Sequence, residues 1–291
     1  MAGDLPQSRS ATMQRLRVRH ETSFFYDSEV VASYNEVRMT PISDQHQNTL
    51  HTRLDLRPAA AAFRYRDYWG TEVSAFDVNV PHRELHVVAT SLIDAWEYPE
   101  PTGAGGWRQL TEPAVRDQQT EFLRHTPRTE PNDELGGLVR DVVRGDSPDA
   151  AARAASGFVH DQIEYVPGAT GVHTSVTDVW LERKGVCQDI AHLTIAMLRT
   201  AGIPARYVSG YLHPRPEAAA GEPVIGQSHA WVEWWDGGWR SYDPTNAIPA
   251  GPQHVVVARG REYADVAPFK GLYSGDADSQ LDVSVEITRL S

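Results

Sequence analysis

The sequence predicts an α+β protein, with a β-rich, sandwich-like domain first and a second domain that sets a helix-borne cysteine against an antiparallel sheet. Three observations predict it. Leu16, Val18 and His20 alternate with Arg17 and Arg19, and Leu85, Val87, Ala89, Ser91 and Ile93 repeat the pattern. That is the period of strands with one polar face. The run Glu97 to Gly106, EYPEPTGAGG, has the proline and glycine of a linker and no periodicity. Beyond it the pattern turns helical and then returns to strands, the segregated order of an α+β domain. Domains are therefore expected at 13–97 and 107–291, joined by 98–106.

Composition bounds the rest. A chain of 291 residues has room for two domains, and 41% hydrophobic content with eight tryptophans is enough for a core. The net charge of −12 argues against a nucleic-acid or anionic-membrane partner, which needs a basic surface. No apolar run reaches the roughly 18 residues of a membrane span. The first residues, MAGDLPQSRSATMQRLRV, lack a signal-peptide core. A single cysteine excludes an internal disulfide and fits a reducing compartment, so a cytoplasmic location is expected.

Residues 1–12 are polar and expected to be disordered. Leu50, Thr52, Leu54 and Leu56, then Phe76, Val78 and Val80, give further alternating strands. Tyr65, Tyr68 and Trp69 cluster before Gly70 and read as core or edge aromatics. Glu112-Pro113 opens one helix, with Phe122 and Leu123 on its apolar side, and Asn132 or Asp133 caps another that runs to Gly145. Ser147-Pro148-Asp149 supplies a capping hydroxyl, a first-turn proline and a first-turn acid for a helix to Ile163. Thr177 is the expected cap of a short helix that Gly185 ends.

The next helix carries the only cysteine. From Cys187, Ile190, Leu193, Met197 and Ala201 recur at helical spacing, and Gly202 with Pro204 stops the helix. A cysteine on a first turn meets unpaired N–H groups and the positive end of the dipole, which favour a thiolate. Ala205–Leu212 reads as a strand, and 213–227 as a loop whose Glu217 and Glu222 are placed to border a cleft. Two aromatic strands then flank Asp236-Gly237-Gly238, the signature of a β-hairpin. If Trp235 pairs with Trp239, His229 and Asp243 share parity and one sheet face. An imidazole and a carboxylate so placed suit proton transfer from a thiol. Residues 254–258 and 281–287 read as further strands.

The runs GVCQDIAHL, SHAWVEWW and YDPTN resemble the bacterial transglutaminase-like family of cysteine proteases, and GIPARYVSGYL and VARGREYADVAPFKG extend the match. The resemblance implies a papain-like core, a catalytic Cys187, His229 and Asp243, and an N-terminal β-domain of the kind that precedes that core in bacterial members. The CQD run suggests that Asp189 fixes the loop around Cys187; first-turn charge is its structural alternative. The Cys187 N–H is the expected oxyanion donor. Gln188, Tyr165 and Trp231 are candidate oxyanion or substrate-binding residues, and Trp234, Trp235 and Trp239 candidate groove aromatics. His192 is assigned a structural role, whereas His173 and His213 lie in loops within reach of a cleft. Arg261–Asp265 reads as a loop that braces the site.

The sequence contains no close ligand pair and no carboxylate-rich calcium loop, so no metal or other cofactor is expected. The preferred function is thiol acyl transfer on a protein or peptide substrate, with the acyl-enzyme resolved by water. Crosslinking through an amine acceptor is the alternative, since both share the acylation half. A peptide-binding module that keeps the fold without catalysis is the non-enzymatic alternative, and thiol redox sensing would need a second thiol from elsewhere.

Overall fold

The structure is a computed structural model, and it describes residues 13–97, 105–215 and 217–291. The expectations of disorder for residues 1–12 and of a linker at 98–106 fall largely outside the described residues.

The N-terminal part supplies β1 (Gln14–Val30), β2 (Ala32–Val37), β3 (Gln47–Arg57), β4 (Ala62–Arg66), β5 (Glu72–Val78) and β6 (His82–Ala95). Helices α1 (Gly106–Leu110), α2 (Pro113–Gln118), α3 (Thr120–Leu123), α4 (Asp133–Val142) and α5 (Pro148–Gln162) follow. Short β7 (Glu164–Tyr165), α6 (Val176–Glu182) and β8 (Lys184–Gly185) lead into α7 (Cys187–Thr200). The chain then forms β9 (Ala205–Leu212), β10 (Pro223–Gly226), β11 (Ser228–Trp235), β12 (Trp239–Asp243), β13 (Ile248–Pro249) and β14 (His254–Gly260). It closes with α8 (Tyr263–Val266), β15 (Phe269–Ser274) and β16 (Ser279–Arg289).

The sheets run β10-β16-β1-β6-β3, β15-β2-β5-β4 and β13-β12-β11-β9-β14. Two of these orders cross the expected domain division. β16 lies on β1 from Leu16↔Arg289 to Tyr26↔Ser279, and β15 lies on β2. The C-terminal strands thus complete both N-terminal sheets. The β16 alternation was legible and the β15 strand was not, and pairing partners at the two chain ends leave no local signal. The 213–227 segment is also not all loop, because β10 adds to the edge of β16.

Local chemistry sets the helix starts. Asn132 Oδ1 accepts from Leu135 N–H and Ser147 Oγ from Ala150 N–H, as helix N-caps do. At α6 the cap is Ser175, reciprocated by Asp178 in a capping box, and not Thr177. The helix leaves through Arg183 in the left-handed region (φ 58°), so Gly185 is not its terminator. Gly185 provides space: a β-carbon there would lie 2.8 Å from Asp189 Cβ.

Helix α7 is the centre of the second core. Residues 189–199 are buried on every side, not on one apolar stripe. It packs against α4, α5 and α6 and the β9–β11 face, where Leu193, Ile195, Met197 and Leu198 meet Val232 and Trp234. Each such aliphatic side chain contributes about 1.5–3 kcal/mol by burial. No helix among the described residues is long and apolar enough to cross a membrane.

Candidate active site

The hairpin has the expected register, with Trp235 opposite Trp239 and Val232 opposite Tyr242. Ala230, Val232 and Trp234 point into the core that backs α7. His229 and Trp231 take the other parity, and Trp231 packs there with Val208, Ala250 and Val256. Glu233 shares that parity; it is 2% exposed and accepts from Arg206 and Arg259. Both faces of this sheet are covered, which is why parity alone could not sort the tryptophans.

The structure brings Cys187, His229 and Asp243 together. Cys187 is the first residue of α7, partly exposed, with Val186 as an extended N-cap. His229 Nε2 donates to Asp243 Oδ2 at 2.7 Å, and its ring lines the same cleft as Cys187. With Nε2 committed to the carboxylate, Nδ1 is the nitrogen left to serve the thiol. Burial alone would lower the His229 pKa; the Asp243 hydrogen bond, the neighbouring thiol and their charges outweigh it and push it up to about 10.

Asp243 is fully buried and saturated with donors. Its Oδ2 accepts from His229, from Asn246 Nδ2 at 2.7 Å and from His254 Nε2 at 3.3 Å. Its Oδ1 accepts from the N–H groups of Thr245 at 2.9 Å and Asn246 at 3.2 Å, as the turn after Asp243-Pro244 allows. Burial would raise this carboxyl, but the His229 and His254 hydrogen bonds hold it well below the usual carboxylate range.

His254 is the site residue that sequence reasoning missed. Gly251 N–H donates to its Nδ1 at 3.2 Å, so the proton sits on Nε2 and points at Asp243. Burial lowers its pKa, consistent with a neutral ring that orients and does not titrate. No spacing rule links it to Asp243; only the β14–β9 pairing brings it there.

Asp189 reaches back from the first turn. Its Oδ2 accepts from Val186 N–H at 2.8 Å and from the Thr170 hydroxyl, tying the loop before α6 to the cysteine-bearing turn. Burial raises its carboxyl against those two hydrogen bonds.

The cleft over Cys187 has a volume of about 400 Å³, and Gln188, Tyr165, Tyr207 and Tyr263 line it. The N–H groups of Cys187 and Gln188 have no partner within the helix. Trp231 does not line the cleft. It is fully buried behind the histidine, its ring stacked on His229 and its Nε1 donating to Ser241 Oγ at 3.0 Å. Trp234 is also buried, and Trp235 and Trp239 pack edge-to-face on each other. None of the four lines the Cys187 cleft.

Of the other histidines, His192 Nε2 accepts from Tyr263 N–H at 3.0 Å and so positions a cleft residue from within α7. His173 meets Arg128, and His213 is buried away from the cleft. The 213–227 segment borders the cleft through Gly226 and Gln227, whereas Glu222 pairs with Arg215. Arg261–Asp265 is largely the short α8, with Arg261 bound to Asp265.

A cysteine at a helix start, sharing a cleft with a histidine that a buried aspartate holds, is the arrangement of thiol enzymes with a papain-like core. Comparison with known proteins gives the class. The transglutaminase-like superfamily profile matches residues 137–244, and the bacterial transglutaminase-like N-terminal region matches residues 16–94. An uncharacterized protein of Mycobacterium leprae is 44% identical over 279 residues, 96% of this chain and 100% of that one. A protein-glutamine gamma-glutamyltransferase of Pseudomonas aeruginosa is 34% identical over 127 residues, 40% of this chain and 19% of that protein. The crystal structure of a "Putative Cysteine Protease" from Cytophaga hutchinsonii superposes with a TM-score of 0.78 at 23% identity, covering 97% of this chain and 92% of that one, and shows the same fold. The chain belongs to the transglutaminase-like superfamily.

Proposed function

We propose that the protein is a thiol acyl-transfer enzyme acting on a peptide or protein carboxamide, with hydrolysis as its principal outcome. The observation that carries this reading is His229, held by the buried Asp243 at 2.7 Å, in the same cleft as Cys187 at the start of α7. The Cys187 sulfur attacks the carbonyl carbon, and its proton resides on His229 Nδ1. The tetrahedral oxyanion is held by the Cys187 N–H at the start of α7, aided by the helix dipole. His229 then gives its proton to the departing amine, leaving a thioester on Cys187. Water, deprotonated by His229, attacks the thioester, releases the acid and restores the thiol. An amine acceptor in place of water would give transamidation by the same steps. Asp243 keeps the imidazole in the tautomer that presents Nδ1 to the sulfur. We place the protein in the cytoplasm on its single cysteine.

Mass spectrometry of the protein mixed with an activated acyl donor tests this reading. The expected result is an acyl adduct on Cys187 that decays in water, with little diverted to a labelled primary amine. An adduct that forms equally well in His229→Ala contradicts the mechanism. Predominant amine capture selects transamidation.

A further inference from the structure

The Cys187 cleft does not end at the catalytic groups. Beside it lies a second pocket of about 390 Å³, and Ser228, Tyr263, Pro268 and Val283 line both. The second pocket is the open mouth of the N-terminal sandwich. On one wall the β1–β16 ladder presents directly opposed pairs on one face: Thr22↔Val283, Phe24↔Leu281 and Tyr26↔Ser279. On the other wall β15 presents Phe269 and Tyr273, with Asn35 of β2 beside Gly271.

Two properties of this groove exceed what folding requires. Inner faces of a sandwich normally interdigitate and exclude water. Here Leu281 is 54% exposed and Val283 46%, with Leu272 on the rim at 77%. Such apolar positions gathered in one concave place mark a binding surface. At the floor, Gly271 lets Phe269 and Asn35 pack onto the β15 backbone, since a β-carbon there would lie 2.7 Å from Phe269 Cε1 and 2.9 Å from Asn35 Oδ1. Finally, the chain carries a net charge of −12, yet none of the described residues lining either pocket is an aspartate, glutamate, lysine or arginine. His20, at the junction, is held by Tyr211 and Thr22, and burial pushes its pKa down to about 4, so it too is neutral.

We infer that this groove is the substrate subsite of the enzyme, and that it takes an extended, uncharged peptide segment with apolar or aromatic side chains. The inference rests on the acyl-transfer reading above. Along β16 the lining runs from Val285 beside Cys187 to Ser279 at the far end. The six residue-to-residue steps of this strand, at roughly 3.3 Å each, span about 20 Å, the length of a similar stretch of bound peptide. Alternate side chains of an extended peptide would face the two aromatic walls. A charged side chain would be desolvated there without a partner, which gives selectivity by exclusion. The N-terminal domain on this account is a wall of the active site, completed by the C-terminal strands β15 and β16.

The test measures peptide binding without turnover. Fluorescein-labelled eight-residue peptides, one with Leu and Phe at alternate positions and two with Asp or Lys substituted there, are titrated by anisotropy into Cys187→Ala. The apolar peptide is expected to bind at least tenfold more tightly than either charged one. Leu281→Asp or Leu272→Asp on that background is expected to weaken it at least tenfold. In the wild-type background the same two substitutions should leave iodoacetamide alkylation of Cys187 unchanged, because that reagent needs no subsite. Both positions are exposed, so two independent variants guard against misfolding. Equal binding of the three peptides, no binding at all, or indifference to both substitutions overturns the subsite. Alkylation that ignores His229 overturns the acyl-transfer reading instead, whatever the peptides do.

Discussion

His254 Nε2 lies 3.3 Å from the same Asp243 oxygen that His229 Nε2 approaches at 2.7 Å. One buried carboxylate oxygen thus serves two imidazoles with different duties. His229 serves the thiol, whereas His254 accepts from Gly251 N–H through Nδ1 and donates to Asp243 through Nε2. A hydrogen bond to a charged group contributes about 1.5–3 kcal/mol. His254→Ala is therefore expected to lower Cys187 acylation about tenfold or more and to shift the His229-dependent limb of the pH–rate profile. His254→Gln, which keeps a donor, should restore part of the rate. A lower melting temperature with an unchanged pH profile would reduce His254 to packing.

Asp243→Asn keeps the shape and removes the charge. The amide would present a donor or a poorer acceptor to His229 Nε2, so the imidazole loses the tautomer that serves the sulfur. In the serine triad the equivalent change costs about four orders of magnitude, and a loss of about three to four orders in single-turnover acylation is expected here. A loss under tenfold would show that Asp243 is not required to orient the ring.

The His229 shift also predicts how stability varies with pH. The folded value is raised from 6.5 to about 10, so the folded state holds a proton that the unfolded state has released between those limits. The stabilisation is fully present below 6.5 and falls as pH rises through 10. The urea midpoint of the wild type should decline from pH 7 to pH 10, and the decline should be much flatter in His229→Asn. Parallel curves would contradict the raised value.

Behind the histidine, Glu233 is buried between Arg206 and Arg259 and joins β11 to β9 and β14. Removing one partner of a buried ionic cluster leaves charge uncompensated and costs about 3–5 kcal/mol. Glu233→Ala should show that loss in chemical denaturation. A change below about 1 kcal/mol would mean that the cluster is solvated more than its burial indicates.

Much of this was legible where the signal is local. Ser147-Pro148 announced α5, the Asp236-Gly237-Gly238 turn fixed the hairpin register, and that register put His229 and Asp243 on one face. What escaped depends on pairing distant in sequence. His254 reaches Asp243 only because β14 lies on β9, and β16 returns to β1 across nearly the whole chain. Trp231 was misread for a different reason. Alternation assigns it a face, but both faces of that sheet are covered, so the face did not decide exposure.

The central claim is that His229 activates Cys187. The most direct test is the rate of Cys187 alkylation by iodoacetamide across pH, in the native protein and in His229→Ala. The account predicts that at pH 7 the native protein is alkylated at least tenfold faster than the variant. Superimposable rate profiles for the two proteins would contradict it, and would leave a transglutaminase-like fold whose cysteine is not a nucleophile.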